Sequence, residues 1–369
     1  MRAARVQTIH QPALCAVAGT AIAASRNVVV VQSIDLSGPN GSIGRDYVAG
    51  ITTYFDGINQ KGGVKGRKIA YIVKDDRGSA GDSAANVSAL IRDAGADYVL
   101  GAIGTSANRA ILSTPAFARS RHQLFAPLAD SSATASARAV FWRPSIESEL
   151  LHLLTHFEKL GVSQVGIALQ LLPDNTRAFE FLKSEIKKRN MRLAGVANIT
   201  AHPEELNTQA QRLAQSGPRL VISIGDTIAM AQFLRAYRAH DGSTFVAGTS
   251  LVNLTTLSEI AGRRATEWTV FSQVVPNPAR AVSALQSEHI DMMKRFRDEP
   301  VSSLTLEGYA VAKTMVSLLQ IDETSSAPLA GKWGKLDLGG MIVAAPQQGT
   351  NLSSFVGIAL FRPDGSLMF

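Results

Sequence analysis

Hydroxyl and carboxyl side chains follow several apolar segments that have the length of β-strands. Thr105 and Ser106 come after Gly104 at the end of one such segment, and they open a helical pattern. Two hydroxyls and free backbone N–H groups at the positive end of a helix dipole can bind a carboxylate. Ser and Thr are also common as ordinary helix N-caps, so the residue types leave both interpretations open.

Acidic residues occur in comparable positions further along the chain. Asp130 and Ser131 follow the next apolar segment, and Asp226 and Thr227 follow a later one. An acid close to a carboxylate site can bind an ammonium group through a charge-assisted hydrogen bond. It can equally cap a turn or a helix, a role that aspartate favours. Both interpretations stay open for Asp130 and for Asp226.

The sequence contains no arrangement typical of catalysis. A nucleophile elbow, a phosphate-binding loop and a dinucleotide fingerprint after a strand are all missing. His152 and His156 have a spacing that can bind a metal, but Leu153 stands where a metalloprotease has glutamate. We interpret this pair as part of a packed helix. The residues therefore predict a binding protein with no metal and no cofactor, not an enzyme.

Short apolar strands alternate with amphipathic helices over most of the chain, which is typical of parallel α/β sheets. The alternation restarts after Arg143-Pro144, so we expect two sheets and two lobes. No long Gly/Ser linker separates the runs, and short connections suit a hinge. Ligands of open α/β sheets bind beyond the carboxyl ends of the strands, where the polar residues described above would lie.

The composition is that of a folded protein with a dispersed charge. The chain has 369 residues and a formal charge of +7, and Lys187-Lys188-Arg189 is its longest basic run. A scattered excess of this kind argues against nucleic acid as a partner. Arg2 and Arg5 precede a small apolar run at residues 13–24, the order of a secretory signal. We expect residues 1–24 to be removed on export to the periplasm, together with the only cysteine, Cys15.

Four motifs together resemble one known family. They are Leu36-Ser37-Gly38-Pro39, Ile58-Asn59 with the segment KGGVKGR at 61–67, Asp75-Asp76, and Leu306-Glu307-Gly308-Tyr309. In this order and spacing the chain resembles the amino-acid-type (branched-chain or hydrophobic amino acid) substrate-binding proteins of bacterial ABC importers. The resemblance implies a type I periplasmic-binding-protein fold, in which two α/β lobes joined by three hinge crossovers hold a ligand between them. It also implies ABC permease subunits as partners.

The resemblance also implies a division of the mature chain. We expect lobe 1 to comprise residues 25–144 and 276–343, and lobe 2 to comprise residues 145–275 and 344–369. A cytoplasmic ligand sensor with the same fold is the alternative function, because the apolar run at 13–24 is rich in alanine and weak as a signal. Cell fractionation would separate export from sensing.

Several positions depart from the family pattern. Relatives that bind branched-chain amino acids carry tyrosines after two strands of the second lobe and an acid after the fourth. This chain has Asp174 and Asp226 near the first two positions and Ser250 at the last, and Ile43 replaces a frequent tyrosine. We therefore predict a small carboxylate-bearing metabolite, with amino acids as the first class. The predicted ligand-binding residues are Ser37, Ile43, Thr105, Ser106, Ala129, Asp130, Ser131, Asp174, Asp226, Thr227 and Ser250.

Overall fold

The computed structural model describes residues 26–132, 134, 136–321, 333–345 and 351–369. The predicted signal peptide, residues 1–24, lies outside these ranges, so the export signal stays a prediction. Within the described ranges, no helix combines the length and the apolar character that a membrane span requires.

Strands and helices alternate along the chain, as the sequence predicts. The first run consists of β1 (Val28–Ile34), α1 (Gly41–Gln60), β2 (Ile69–Asp75), α2 (Ala80–Asp93), β3 (Tyr98–Leu100), α3 (Thr105–Ser113), α4 (Pro115–Arg119), β4 (Leu124–Phe125) and β5 (Ala139–Val140). The second consists of α5 (Ile146–Lys159), β6 (Gln164–Gln170), a 3₁₀ turn (Pro173–Asn175), α6 (Thr176–Lys188), β7 (Arg192–Ile199), α7 (Pro203–Gln215), β8 (Leu220–Ile224), α8 (Thr227–Arg238), β9 (Phe245–Gly248), α9 (Leu254–Ala261), α10 (Arg263–Thr266) and β10 (Thr269–Gln273). The last elements are α11 (Ala284–Phe296), α12 (Ser303–Ile321), β11 (Lys335–Asp337), β12 (Ile342–Ala344), β13 (Gly357–Phe361) and β14 (Leu367–Met368).

Each run forms its own sheet. The five-stranded sheet has the order β2-β1-β3-β4-β5, and all of its strands are parallel. The seven-stranded sheet has the order β14-β13-β10-β9-β8-β6-β7, and its strands are parallel except for β13, which runs antiparallel to both of its neighbours, β10 and β14. We name the five-stranded sheet with its helices lobe 1 and the seven-stranded sheet with its helices lobe 2. The predicted α/β fold with two doubly wound lobes is confirmed, whereas the residue boundaries of the lobes stay a prediction.

Helices cover both faces of each sheet because successive strand residues point to opposite sides. In β1, the fully buried Val30 packs in the core formed with α1 and α12, and its neighbour Val31 packs with α2, α3 and α4. In lobe 2, α5 and α6 cover one face, and α7, α8 and α9 cover the other. Burial on both faces explains why the strands read as continuous apolar runs.

Local signals in the sequence set the ends of the helices. Helix α1 ends before Gly62 and Gly63, whose φ values are +97° and +81°. A Cβ atom on Gly63 would lie 2.0 Å from the carbonyl oxygen of Arg67, so only glycine fits this turn. The side chains of Ser79 and Ser145 cap α2 and α5 by accepting hydrogen bonds from backbone N–H groups of the first turn.

Two of the chain passages between the sheets lie side by side. Leu352 and Ser353 donate backbone hydrogen bonds of 2.8 Å to Phe141 and Trp142, respectively. The Asn351 side chain donates to the carbonyl oxygen of Arg143 at 2.7 Å. The passages after β5 and before β13 are therefore joined to each other, as the parts of one hinge would be.

Strand β10 is shorter than the sequence predicts. The sequence predicts a strand over residues 269–278, but β10 ends at Gln273. Pro276 and Pro278 have no N–H group to donate to a neighbouring strand, which explains the earlier end.

Candidate functional site

The strand order places two switch points opposite each other. In lobe 1, β1 has β2 on one side and β3 on the other, and in lobe 2, β6 has β7 on one side and β8 on the other. Loops diverge to opposite faces of a sheet at such a point and leave a crevice beyond the carboxyl ends of the strands. The segments that reach the crevice are those that follow β1 and β3 in lobe 1 and β6 and β8 in lobe 2.

The segment after β3 presents hydrogen-bond donors at the N-terminus of α3. Gly104 is the N-cap residue with φ +91°, Thr105 is buried, and Ser106 is exposed. The side chain of Asn108 holds this loop, because it donates to the carbonyl oxygens of Ala102 and Gly104 at 2.9 and 2.7 Å and accepts from the Ala102 N–H. The donors of Ser106 are thus presented on a fixed backbone at the positive end of a helix.

A carboxylate of lobe 2 occupies these donors. Asp174 lies in the 3₁₀ turn after β6, and its Oδ1 accepts a hydrogen bond of 2.6 Å from the Ser106 hydroxyl. Its Oδ2 accepts one of 3.2 Å from the Ser106 backbone N–H. A Cβ atom on Gly104 would lie 3.0 Å from this Oδ2, so glycine permits the close approach. The structure therefore brings together Ser106 and Asp174, which the sequence separates by 68 residues.

A second polar contact spans the lobes beside the first. Arg177 on α6 donates a hydrogen bond of 3.0 Å to Glu147 at the start of α5, and it lies 3.7 Å from Asp130 in lobe 1. The hydroxyl of Ser132 in lobe 1 donates to the other oxygen of Glu147 at 2.8 Å. Asp130 also accepts from the Ser132 backbone N–H at 2.9 Å. We name Ser106, Asp174, Asp130, Ser132, Glu147 and Arg177 the rim cluster.

Asp226 adopts the capping role that was one of its two interpretations. Its Oδ1 accepts from the Ala229 N–H at 2.9 Å and so caps α8. Gln170 at the end of β6 forms a two-point contact with it, because the amide donates to Oδ2 at 2.7 Å and accepts from the Asp226 N–H at 2.9 Å. The buried hydroxyl of Thr227 accepts from the Asn253 N–H at 3.1 Å. Asp226 and Gln170 therefore join the ends of β6 and β8 at the lobe 2 switch point.

Asn253 makes a third contact between the lobes. Its side-chain amide donates to the Ser42 carbonyl oxygen at 3.2 Å and to the Asp46 carboxylate at 3.1 Å, both on α1 of lobe 1. Its oxygen caps α9 through the Thr256 N–H. Burial raises the pKa of Asp46, and the hydrogen bonds from Ser302 and Asn253 oppose that rise.

Ser250 lies in a buried charged cluster at the hinge. Its hydroxyl accepts a hydrogen bond from Arg143, and its N–H donates to Glu149 at 2.8 Å. Glu149 also accepts from the Ser272 hydroxyl at 2.6 Å, and Glu307 on α12 lies 3.4 Å from Arg143. We name Arg143, Glu149, Ser250, Ser272 and Glu307 the hinge cluster. Burial raises the pKa of Glu307, while the Arg143 guanidinium acts in the opposite direction.

The other predicted site residues have varied surroundings. Ser37 is exposed, and its hydroxyl donates to Asp75 at 2.6 Å, a bond that lowers the pKa of Asp75. Ile43 is fully buried in the core between α1 and α12, so its side chain contributes to packing. Ala129 is partly buried against the core under α3, and Ser131 is 7% exposed. A ligand contact of any of these residues stays a prediction.

Three exposed apolar side chains near the crevice were not predicted. Leu171 and Leu172 follow β6 and are 67% and 44% exposed, and Ile228 in the first turn of α8 is 39% exposed. An apolar side chain next to a polar crevice often contacts the apolar part of a ligand. For Leu171 and Leu172, the position directly after β6 was the available signal.

The described residues contain no group of three or more His, Cys, Asp or Glu side chains suited to a metal. His156 on α5 instead lies edge-to-face against Phe157, with ring centroids 5.3 Å apart.

Comparison with known proteins gives one family and many similar folds. The model of a family described as periplasmic binding protein matches residues 28–330. No curated protein matches the chain. An extracellular ligand-binding receptor from Verminephrobacter eiseniae has 20% identity and a TM-score of 0.86 over 93% of this chain and 100% of that one.

Two further similar structures contain ligands. The branched-chain amino acid transporter substrate-binding protein from Streptococcus pneumoniae, in complex with isoleucine, has 14% identity and a TM-score of 0.82 over 93% of this chain and 98% of that one. An ABC transporter solute-binding protein from R. palustris, in complex with 4-hydroxybenzoate, has 16% identity and a TM-score of 0.78 over 93% and 95%. At these identities, the similarity concerns the fold.

Proposed function

The chain belongs to the periplasmic binding protein family, and from that premise we propose that it is the solute-binding component of an ABC importer. It binds a small carboxylate-bearing metabolite between its lobes in the periplasm and delivers it, unaltered, to permease subunits in the inner membrane. Amino acids are the first ligand class to test.

One observation carries this proposal: the N-terminus of α3 holds a carboxylate across the crevice. The Ser106 hydroxyl and N–H group both donate to a carboxylate that comes from the opposite lobe. The buried Thr105 and the N-cap Gly104 complete this loop. Donors fixed at the positive end of a helix are suited to an anion, and a ligand carboxylate presents the same two oxygens.

Hinge closure follows from contacts that exist on both lobes only when they approach each other. A ligand that contacts both lobes stabilises the closed arrangement and shifts the population toward it. The chain passages between the lobes form the hinge, and the paired residues Phe141 and Leu352 lie within it. No covalent step is required.

The remaining groups near the crevice suggest the rest of the ligand. Asp130 and Asp226 are the candidate partners for an ammonium group, and Leu171, Leu172 and Ile228 for an apolar part. Isoleucine and 4-hydroxybenzoate, which are bound by two proteins of similar fold, both combine a carboxylate with an apolar part. They differ in the ammonium group, so the pair discriminates between the ligand classes.

A thermal-shift screen tests the proposal, because a ligand that binds only the folded state raises Tm. The panel contains isoleucine and other amino acids, 4-hydroxybenzoate and other aromatic acids, and dicarboxylates. We expect at least one carboxylate to raise Tm in the wild type and not in the Thr105→Ala/Ser106→Ala variant. Ser113→Ala at the other end of α3 is the matched control and should keep the full shift. A shift that survives the double substitution, or a panel without any shift, would contradict the proposal.

A further inference from the structure

Asp174 is held in position by its own turn rather than by chance contact. Pro173 opens the 3₁₀ turn, and the Asn175 N–H donates to the Leu172 carbonyl oxygen at 3.0 Å. The Asn175 side chain donates to the carbonyl oxygen of Gln170, the last residue of β6, at 2.9 Å. The turn therefore directs the Asp174 carboxylate from the end of β6 toward lobe 1.

Both oxygens of Asp174 are engaged by the donors that a ligand carboxylate would need. Oδ1 accepts from the Ser106 hydroxyl at 2.6 Å, and Oδ2 accepts from the Ser106 N–H at 3.2 Å. A second carboxylate at this position would be a few ångströms from the first. Two carboxylates at such a distance repel each other unless one is protonated. The Asp174 carboxylate and a ligand carboxylate therefore exclude one another.

We propose that Asp174 is a specificity-determining residue that acts as an internal competitor for the carboxylate position at the N-terminus of α3. This proposal rests on the proposed function, since it concerns the same site. A ligand carboxylate binds only as Asp174 leaves, so the apparent dissociation constant is the intrinsic one divided by the fraction of time that the donors are free of Asp174. If the donors are occupied for about 90% of the time, the affinity falls roughly tenfold.

The competition discriminates by charge. A ligand that places an anionic group at Ser106 must displace the Asp174 carboxylate from the hydrogen-bond donors. A neutral amide meets the same occupied donors but gains little from the positive end of the helix, because the dipole favours anions. Removal of Asp174 should thus favour carboxylates selectively. Arg177 lies one helical turn further along and remains bound to Glu147, so the change is confined to one of the contacts between the lobes.

The experiment observes the Ser106 backbone N–H directly by ¹⁵N NMR, with acetate as the probe and acetamide as its neutral counterpart. In the wild type, the charged acceptor shifts the Ser106 resonance, and this shift should be lost in Asp174→Ala. We expect acetate to restore it in that variant with a dissociation constant about tenfold lower than in the wild type. Acetamide should not restore the shift in Asp174→Ala.

Two further variants sharpen the test. Asp174→Asn keeps the shape of the side chain without its charge and should give an intermediate acetate affinity. Glu180→Ala removes an exposed acid on α6 that pairs with Lys183, and it should behave as the wild type. Equal acetate affinity in the wild type and in Asp174→Ala, or a Ser106 resonance that does not respond to Asp174→Ala, would overturn the proposal.

The outcome is separable from that of the proposed function. Restoration by acetate supports the competitor role even if the metabolite panel gives no ligand, in which case only the proposed function fails. A panel ligand whose affinity depends on Thr105 and Ser106 but is the same in the wild type and in Asp174→Ala would overturn the competitor role alone.

Discussion

The rim cluster and the hinge cluster use the same side chains in different surroundings. Each contains one arginine, acidic residues and serine hydroxyls. Arg177 at the rim has a side chain that is 54% exposed, whereas Arg143 at the hinge is 5% exposed. An exposed ion pair exchanges easily with water and contributes little, but a buried charge without a partner costs several kcal/mol. Burial, not residue type, therefore distinguishes the rim contacts, which can open at little cost, from the hinge contacts, which are costly to break.

The charges of the two clusters also differ in balance. At the hinge, Arg143 faces two carboxylates, Glu149 and Glu307, at 3.9 and 3.4 Å. Burial is the main cause of the raised pKa of Glu307, and the neighbouring Glu149 carboxylate adds to the rise while the Arg143 guanidinium opposes it. The hinge cluster links the segment after β5, helix α12 and the loop after β9. It therefore joins both lobes at the place where a closing motion would pivot.

The largest effect is expected from Arg143→Leu. This change leaves Glu149 and Glu307 buried without their countercharge, and we expect a loss of about 3–5 kcal/mol in the free energy of unfolding. Urea denaturation measures the loss. A loss below about 1 kcal/mol, comparable to that of an exposed pair, would show that the hinge cluster is not electrostatically distinct from the rim.

An intermediate effect that depends on pH is expected from Glu307→Gln. The folded-state pKa of Glu307 is raised, so between its ordinary pKa and the raised value the folded protein holds more protons than the unfolded chain. The stability of the wild type should therefore fall as pH rises through this window, by about 1.4 kcal/mol for every pH unit between the two pKa values. Glu307→Gln should remove this decrease. Its free energy of unfolding, relative to that of the wild type, should therefore increase as the pH rises above about 4.

The control for this pH dependence is Glu288→Gln, which removes an exposed acid of α11 that pairs with Lys313 on α12. Its stability curve should be parallel to that of the wild type. If the stability curve of Glu307→Gln were also parallel to that of the wild type between pH 4 and 8, the raised pKa of Glu307 would be refuted.

The smallest effect is expected from Arg177→Leu. Its partners Glu147 and Asp130 retain hydrogen bonds from Ser132, and its side chain is half exposed. We expect a change of less than about 1 kcal/mol in the free energy of unfolding, which should shrink further at high salt. Urea denaturation at two salt concentrations provides the measurement. A loss as large as that of Arg143→Leu would remove the distinction between rim and hinge.

The same comparison separates what the sequence predicts from what it does not. The periodicity of apolar residues predicts the two sheets and most helices, because the burial of a strand or helix face determines which residue types occur within a few positions of each other. Thr105, Ser106 and Asp174 were recognised as individual candidates from their positions after strands. The contact between Ser106 and Asp174 could not be predicted, since it depends on how the second lobe is placed against the first.

Of the hinge cluster, only Ser250 was predicted from the sequence, as a ligand-binding candidate; the charged members were missed, although a signal for them existed. Glu149 shares a face of α5 with the buried Leu153 and Phe157, and Glu307 lies among the apolar residues of α12. An acid on an apolar helix face requires a buried partner. The partner is Arg143, which reaches the two acids because the chain crosses between the lobes there. The local sequence around Glu149 and Glu307 cannot identify it.

On the proposed function, two hinged lobes close on a ligand while their own rim contacts compete with it. Spin labels on cysteines placed at the exposed positions Arg92 in lobe 1 and Gln211 in lobe 2 test this behaviour by pulsed EPR, and the only native cysteine, Cys15, lies in the predicted signal. We predict a short interlobe distance in the wild type without added ligand and a longer one in Asp174→Ala/Arg177→Leu. A carboxylate ligand from the thermal-shift screen should restore the short distance in the variant. A distance that neither the substitutions nor the ligand changes would contradict both the closure of the lobes and the competition at their rim.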